Sequence, residues 1–162
     1  MILHDVVALA AGLPEGQRLL GLDVGEKTVG LAISDRGLAV ASPVETLKRS
    51  KLDDDVAALK DLCADRAVGG LVIGLPVNMD GSQGPRCQSV RQFAVNLDQR
   101  GLGLPMAFWD ERLSTAAVER LLIDEADMTR KRRGEVVDKM AAAYILQGAL
   151  DALAAQRARR GN

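Results

Sequence analysis

The sequence predicts an α/β domain with a mixed sheet, and the order of its apolar segments is the main reason. Two neighbouring strand-like segments, 18–24 and 29–34, are separated by a short turn and predict a hairpin. A third strand follows, and helix-like and strand-like segments then alternate, which is typical of strands joined by helical crossovers. With 162 residues, 48% of them apolar, the chain has the size of one domain with one core.

Each element is predicted from a local pattern. Short apolar runs bounded by glycine, proline or polar residues predict strands, and apolar residues at intervals of three or four predict helices. Pro85 suits the first position of a helix, and Ser114 or Thr115 can cap another. The predicted elements are a helical extension in 1–17, strands 18–24, 29–34 and 40–47, helix 53–66, strand 70–75, helix 85–100, strand 104–109, helix 116–126, a basic loop 128–134 and a last helix 135–157.

The composition excludes several kinds of catalytic site. Histidine occurs once, as His4 in the terminal extension, which argues against a Ser-His-Asp triad, a Cys-His pair or a histidine zinc site. Cys63 and Cys87 lack Cys-x-x-Cys spacing and predict two reduced helical thiols rather than a disulfide or a zinc site. Any chemistry therefore has to use carboxylates, lysines or a bound ion.

Charge and hydropathy limit the partners that the chain can have. The net charge of −1 gives no overall attraction for nucleic acid, so a local basic patch has to supply it. Four aromatic residues are too few for a base-stacking platform. Charged residues interrupt every apolar stretch before it reaches membrane-span length, and the first residues do not resemble a signal peptide. We therefore expect a cytoplasmic protein with no membrane partner.

Asp23 is the first candidate for chemistry. It lies at the end of the first predicted strand, where Gly25 allows a tight turn. Strand alternation places Leu19, Gly21 and Asp23 on one face, and Gly21 leaves space beside the acid. An ordinary hairpin turn also contains Asp and Gly, and taken alone the motif favours that interpretation.

Asp138 is the second candidate. By helical spacing it shares a face with Ala142 and Ile145, and this apolar face suits packing against the sheet. A carboxylate on an inward face needs a hydrogen bond, a counter-charge or an ion. The alternative is an acid favoured by the helix dipole in the first turn, and the pattern alone does not separate the two.

Asp110 and Glu111 form the third candidate, at the end of the 104–109 strand. Alternation points them to opposite faces, so one of them faces the site, and alternation does not say which. A solvated pair with Arg112 is the ordinary alternative.

Clustered carboxylates repel one another unless a divalent cation neutralises them. Oxygen ligands without His or Cys suit Mg²⁺ or Mn²⁺, and two such ions about 4 Å apart can promote phosphodiester hydrolysis.

Basic and loop residues supply candidate phosphate contacts. Residues 129–133 (TRKRR) are the densest positive cluster and precede the helix of Asp138, although such runs are usually exposed charged loops. The 78–86 loop ends at a helix N-terminus, whose free N–H groups can hold a phosphate, and Lys27 is close to Asp23 in sequence. The predicted nucleic-acid-binding residues are Lys27, Asn78, Arg86, Arg112, Arg130, Lys131, Arg132 and Arg133.

Four segments together resemble a known family. They are residues 22–30 (LDVGEKTVG), 74–82 (GLPVNMDGS), 110–115 (DERLST) and 137–142 (VDKMAA), in this order. The chain resembles the bacterial YqgF (RuvX) family of proposed pre-16S rRNA nucleases, which are related to Holliday-junction resolvases. The resemblance covers residues 18 to about 152.

The resemblance implies an RNase H-like fold, with a five-stranded mixed sheet of order 3-2-1-4-5 flanked by helices. We expect residues 18–157 to form this single nuclease domain, after an N-terminal extension (1–17) and before a basic tail (158–162). The resemblance further implies that Asp23, Glu111 and Asp138 are the catalytic acids and bind the Mg²⁺ or Mn²⁺ ions. Related resolvases carry an acid on the fourth strand, but here that strand ends Gly74-Leu75-Pro76 with none, so the Glu111 assignment has to fill that gap.

The resemblance also implies a substrate. It indicates nucleic acid, as structured RNA or branched DNA, and a role in maturing the 5′ end of small-subunit rRNA in ribosomal precursor particles. A Holliday-junction resolvase or other structure-specific DNA endonuclease would use the same site. A non-catalytic nucleic-acid-binding or ribosome-assembly factor would retain only the fold. An ATPase related to sugar kinases and actin, whose phosphate loop also contains Asp-x-Gly, would need two such domains.

Overall fold

The structure is a computed structural model that describes the backbone of residues 1–114 and 130–161 and the side chains of 1–114 and 139–161. Its helices are α1 (Val6–Ala11), α2 (Leu52–Asp65), α3 (Pro85–Gln99) and α4 (Arg130–Arg160), and a 3₁₀ turn spans Glu111–Leu113. Its strands are β1 (Arg18–Val24), β2 (Thr28–Ser34), β3 (Ala41–Lys48), β4 (Val68–Leu75) and β5 (Met106–Asp110). The strands and the helices α2 and α3 confirm the predicted elements to within two residues at each end.

The five strands form one mixed sheet with the order β3-β2-β1-β4-β5. β2 is antiparallel to both β1 and β3, whereas β4 is parallel to both β1 and β5. The predicted α/β fold, with its RNase H-like strand order, is confirmed. Because β1, β4 and β5 are parallel neighbours, their carboxyl ends lie at one edge of the sheet, where the first and third candidate acids are found.

The beginning of α4 differs from the prediction. The sequence predicts a basic loop over 128–134 and a helix from 135, but the helix already includes Arg130. The loop prediction is therefore wrong for residues 130–134. Arginine and lysine are good helix formers, and Gly134 costs only about 1 kcal/mol in a helix interior, which a helix of 31 residues can tolerate. Residues 128–129 and the predicted helix 116–126 lie outside the described residues.

The two faces of the sheet are covered by different helices. Leu20 and Leu22 of β1 belong to a buried cluster that includes residues of α2 and α3. Leu19 belongs to a second cluster, formed with α1 and α4. We call the side of the sheet that carries this second cluster the α4 face. Strand alternation assigns Gly21 and Asp23 to the α4 face as well.

The N-terminal residues pack against the same side of the sheet. The Leu3 backbone N–H donates to the Met106 carbonyl at 2.6 Å, so the first residues cover the edge strand β5. Val6 and Leu9 of α1 are buried, and a Cβ atom at Gly70 would lie 2.9 Å from Leu9 Cδ1. The absence of a side chain at Gly70 therefore lets α1 pack directly on β4.

Cys63 and Cys87 are both buried and unbonded, as predicted from their spacing. Burial raises the pKa of the Cys63 thiol to about 11, because the thiolate would lose its hydration. In the part of the chain that the structure describes, no helix combines the length and the apolar character that crossing a membrane requires.

The close approach of α4 to β1 at Gly21 gives a stability prediction. A Cβ atom at Gly21 would lie 2.7 Å from Leu146 Cβ and 3.0 Å from the Ala142 carbonyl oxygen. We expect Gly21→Ala to lower the free energy of unfolding by about 1–3 kcal/mol, because the added methyl group overpacks this contact. Urea denaturation measures the change.

Gly12→Ala is the matched control, since the nearest atom to a Cβ there, the Ala8 carbonyl oxygen, is 3.8 Å away. Equal unfolding free energies for the Gly21→Ala and Gly12→Ala variants would contradict the direct packing of α4 on β1.

Candidate active site

Asp23 is a buried carboxylate near the carboxyl end of β1. Its residue is 8% exposed, on the α4 face together with the buried Leu19. β1 ends at Val24, and the Gly25 backbone N–H donates to the Thr28 carbonyl at 2.8 Å, which closes the turn into β2. An acid this deeply buried in an otherwise apolar strand is costly unless its charge is compensated.

α4 carries the second predicted acid along the same face of the sheet. Its Ala142 carbonyl lies next to Gly21, and Asp138 precedes Ala142 by four residues, about 6 Å along the helix axis. The side chain of Asp138 lies outside the described part of the structure. The same holds for the side chains of Arg130, Lys131, Arg132 and Arg133, which belong to the first turns of α4.

Glu111 reaches the α4 face by lying over Gly74. In β4, Val72 belongs to the α4 cluster, and Gly74, two residues later, is on the same face. A Cβ atom at Gly74 would lie 3.3 Å from Glu111 Cγ and 2.5 Å from Ile145 Cδ1. Ile145 and Glu111 together therefore occupy the space above Gly74 that a side chain at this position would need.

The strand register places Asp23 and Glu111 close together. Leu22 of β1 is paired with Ile73 of β4, so Asp23 and Gly74 are the next residues along the two strands. Neighbouring strands are about 4.8 Å apart. The Gly74 backbone that Glu111 Cγ approaches is thus about one strand spacing from the Asp23 backbone, on the same face. Asp23 and Glu111 each also interact with another group of the protein.

Asp110, in contrast, is engaged by Arg112. Its two carboxylate oxygens accept bonds from Arg112 Nε at 3.1 and 3.0 Å and from Nη2 at 2.7 Å, and Oδ1 also accepts the Arg112 backbone N–H. These bonds hold the pKa of Asp110 below its ordinary value. Asp110 thus forms the ion pair with Arg112, and Glu111 lies over Gly74; the choice of Glu111 as the site residue stays a prediction.

Arg112 also connects β5 to the loop that follows β4. Its Nη1 atom lies 3.6 Å from the Cβ position of Gly81. Asn78 Nδ2 donates to Ser82 Oγ at 3.0 Å within this loop. Bonds from Ser82, and then the charge of Arg112, lower the pKa of Asp80. Asn78, a predicted nucleic-acid contact, thus belongs to a hydrogen-bonded loop, and Arg112, another such residue, lies against that loop.

Lys27 and Arg86, two further predicted contacts, line one groove. The groove lies between the β1–β2 turn and the first turns of α3, and both side chains are exposed. A second groove on the other side of Lys27 is lined by Lys48 and Arg49. No sequence pattern singles out these two residues, because the pairing of Lys48 with Thr28 depends on the register between β2 and β3.

Asp23 and Glu111 are oxygen ligands of the kind that hard divalent cations prefer. Among the side chains that the structure describes, no three His, Cys, Asp or Glu residues form a group able to hold a metal ion. Asp138, the third predicted ligand, is not among those side chains, so the metal assignment stays a prediction.

Comparison with known proteins gives consistent matches along the chain. The RuvX family model, described as "Holliday junction resolvase", matches residues 17–152. A protein of Roseobacter denitrificans named "Putative pre-16S rRNA nuclease" is 59% identical over 159 residues, which cover 98% of this chain and 97% of that protein. A protein of the same name from Rhodospirillum rubrum is 60% identical over 157 residues, covering 97% of both.

A solved structure has the same fold. It is described as "T. thermophilus RuvC in complex with Holliday junction substrate", and it superposes with a TM-score of 0.50 at 14% sequence identity. The match covers 87% of this chain and 96% of that chain. At this identity the likeness supports the RNase H-like fold alone.

The ion pair of Asp110 gives a prediction about titration. Because Arg112 stabilises the ionised carboxylate, the pKa of Asp110 lies below 3.8 in the folded protein. The stability that this shift provides is present above pH 3.8 and is lost as the pH falls through the lowered pKa. We expect Arg112→Gln to raise the pKa of Asp110 towards 3.8, as measured by carboxyl-detected NMR titration.

Arg100→Gln is the control, because Arg100 pairs with Asp53 at 2.7 Å and has no contact with Asp110. An unchanged Asp110 titration in Arg112→Gln would show that the ion pair does not exist in solution.

Proposed function

The chain belongs to the RuvX family, and on that basis we propose that it is a metal-dependent nuclease that hydrolyses phosphodiester bonds. The observation that carries the proposal is the placement of Glu111 over Gly74, beside the buried Asp23. This placement supports a carboxylate site at the carboxyl ends of β1 and β4. In the proposal, Asp138 supplies the third acid from α4.

The substrate proposed is the precursor of 16S rRNA. Relatives that are 59% and 60% identical over nearly the whole chain carry the name "Putative pre-16S rRNA nuclease". The reaction would be the processing of the 5′ end during ribosome biogenesis. Its partners would be structured RNA and ribosomal precursor particles, and its location the cytoplasm.

The donor atoms fit a hard divalent cation. Asp23 and Glu111 offer carboxylate oxygens, and the two cysteines, Cys63 and Cys87, are buried in α2 and α3. Oxygen ligands without sulfur or imidazole favour Mg²⁺ or Mn²⁺ over zinc. When bound, such an ion activates water and neutralises charge that develops on the phosphate. We assign Asp23, Glu111 and Asp138 as its ligands.

The protein residues have separate tasks in this proposal. Burial and the β1–β2 turn hold Asp23 in one orientation, and packing over Gly74 holds Glu111. Arg112 keeps Asp110 ionised and bonded away from Glu111. Lys27 and Arg86 supply positive charge for the phosphate backbone next to the site. The basic residues at the start of α4 would extend that charge.

A structure-specific DNA endonuclease is the second candidate. It is favoured by the description of the matching family model as a Holliday junction resolvase. The same carboxylates would cut either backbone, because the scissile phosphodiester is common to RNA and DNA. Competition between a precursor rRNA fragment and a four-way DNA junction for cleavage distinguishes the two candidates, since the preferred substrate inhibits cleavage of the other.

Cleavage in Mn²⁺ tests the catalytic assignment. We expect Asp23→Asn and Glu111→Gln each to lower the cleavage rate by about a hundredfold or more, because each removes a charged ligand from the site. Asp110→Asn is expected to have a smaller effect, since Asp110 is bonded to Arg112. The rate of cleavage of a labelled precursor rRNA fragment is the measurement.

Asp61→Asn, at an exposed position of α2, is the control for purification and folding. Residual activity that is the same in Asp23→Asn, Asp61→Asn and the unaltered protein would identify a contaminating nuclease and defeat the catalytic proposal. An equal loss in Asp110→Asn and Glu111→Gln would defeat the choice of Glu111.

A further inference from the structure

We propose that the two grooves on either side of the β1–β2 turn together bind the sugar-phosphate backbone of a nucleic-acid strand that runs past the active site. We call them the turn grooves. The first is lined by 24–28 together with Pro85, Arg86, Ser89 and Val90, and the second by 26–28 and 48–50. The inference rests on the proposed function, because it assumes a nucleic-acid substrate.

The turn grooves adjoin each other at the hairpin, because three of the residues that line them are the same. Glu26, Lys27 and Thr28 line both. Thr28 is paired with Lys48 in the sheet, so the end of β3 lies directly beside the turn. The grooves therefore extend from the first turns of α3, around the hairpin, to the end of β3.

The cations of the turn grooves are available to bind phosphate. Lys27, Lys48 and Arg86 are exposed, and within the part of the chain that the structure describes none of them takes part in an ion pair. Glu26 is the one acid among the residues that line the grooves. A nucleic-acid strand that passes through both grooves would thus meet an excess of positive charge, although the whole protein chain has a net charge of −1.

The turn itself is held in a fixed conformation by Arg49. The Arg49 backbone N–H donates to the Lys27 carbonyl at 2.9 Å, and its Nη1 donates to the Gly25 carbonyl at 2.6 Å. The guanidinium also lies 4.8 Å from the centre of the Phe93 ring, which is part of the core. Arg49 is therefore a positioning residue, because it holds the backbone of the turn that carries Lys27.

The turn grooves also lie close to the proposed chemistry. Asp23 and Val24 are consecutive residues of β1, with Asp23 on the α4 face and Val24 lining the first groove. A nucleic-acid strand in the first groove would reach the carboxyl edge of the sheet at Val24, on the face opposite to Asp23, and would have to cross that edge to reach the acid. Binding there would fix the position of the backbone relative to the scissile phosphate without reading its bases.

Lys48 has an ordinary alternative role. It lies on the edge strand β3, and lysines on edge strands prevent pairing between sheets of different molecules. If this were the only role of Lys48, replacing it would promote association between copies of the protein. The salt dependence of nucleic-acid binding would stay unchanged. The two roles therefore give different results in a binding experiment.

The test measures binding of the full chain with Asp23→Asn, which keeps the oligonucleotide intact. The probes are fluorescein-labelled single-stranded RNA and DNA of one sequence, titrated at several salt concentrations. We expect Lys48→Gln in this background to reduce the slope of log K against log salt by about 0.7 and to weaken binding about fivefold at 0.1 M salt, because one phosphate contact is lost. Glu26→Gln should tighten binding.

Lys60→Gln is the matched control, since Lys60 is exposed on α2 and lines neither of the turn grooves. A reduced slope for Lys48→Gln with either oligonucleotide supports the proposal, and unequal reductions identify the nucleic acid that occupies the grooves. Slopes equal to those of Lys60→Gln with both oligonucleotides overturn it. That result would leave the nuclease proposal intact, because cleavage that depends on Asp23 is measured separately.

Discussion

The packing of α4 against bare backbone in β1 and β4 determines where the candidate carboxylates lie. At Gly21 the helix approaches so closely that a methyl group would meet Leu146 and the Ala142 carbonyl. At Gly74 the same helix and Glu111 occupy the space of a missing side chain. The two glycines are thus the reason that an acid from β1 and an acid from the end of β5 can share one face with α4.

The two neighbouring acids at the end of β5 illustrate how the structure separates electrostatic roles. Asp110 has its charge balanced by a bidentate bond to Arg112, which also joins the loop after β4. Glu111 leaves the strand in a 3₁₀ turn and lies over Gly74. Because Asp110 is bonded to Arg112, its charge adds less to the repulsion that three or four adjacent carboxylates would otherwise create. In the proposed enzyme, a divalent cation balances the charge that remains.

Much of this arrangement could be predicted from the sequence, and the failures have physical causes. Apolar runs bounded by turn residues located every strand, and the face of Asp23 followed from alternation. Alternation could not choose between Asp110 and Glu111, because the chain leaves the strand between them. The start of α4 is not visible in the sequence, because a basic run that ends in glycine suits an exposed loop while arginine and lysine also favour a helix. Lys48 became a candidate only through its register opposite Thr28.

The most direct test of the central claim is the location of a metal ion by anomalous diffraction from a crystal soaked in Mn²⁺. The account predicts a manganese peak about 2–2.5 Å from carboxylate oxygens of both Asp23 and Glu111, with Asp138 as a further ligand. A well-ordered manganese bound elsewhere, for example between Asp80 and Asp110, with none at Asp23, would contradict it.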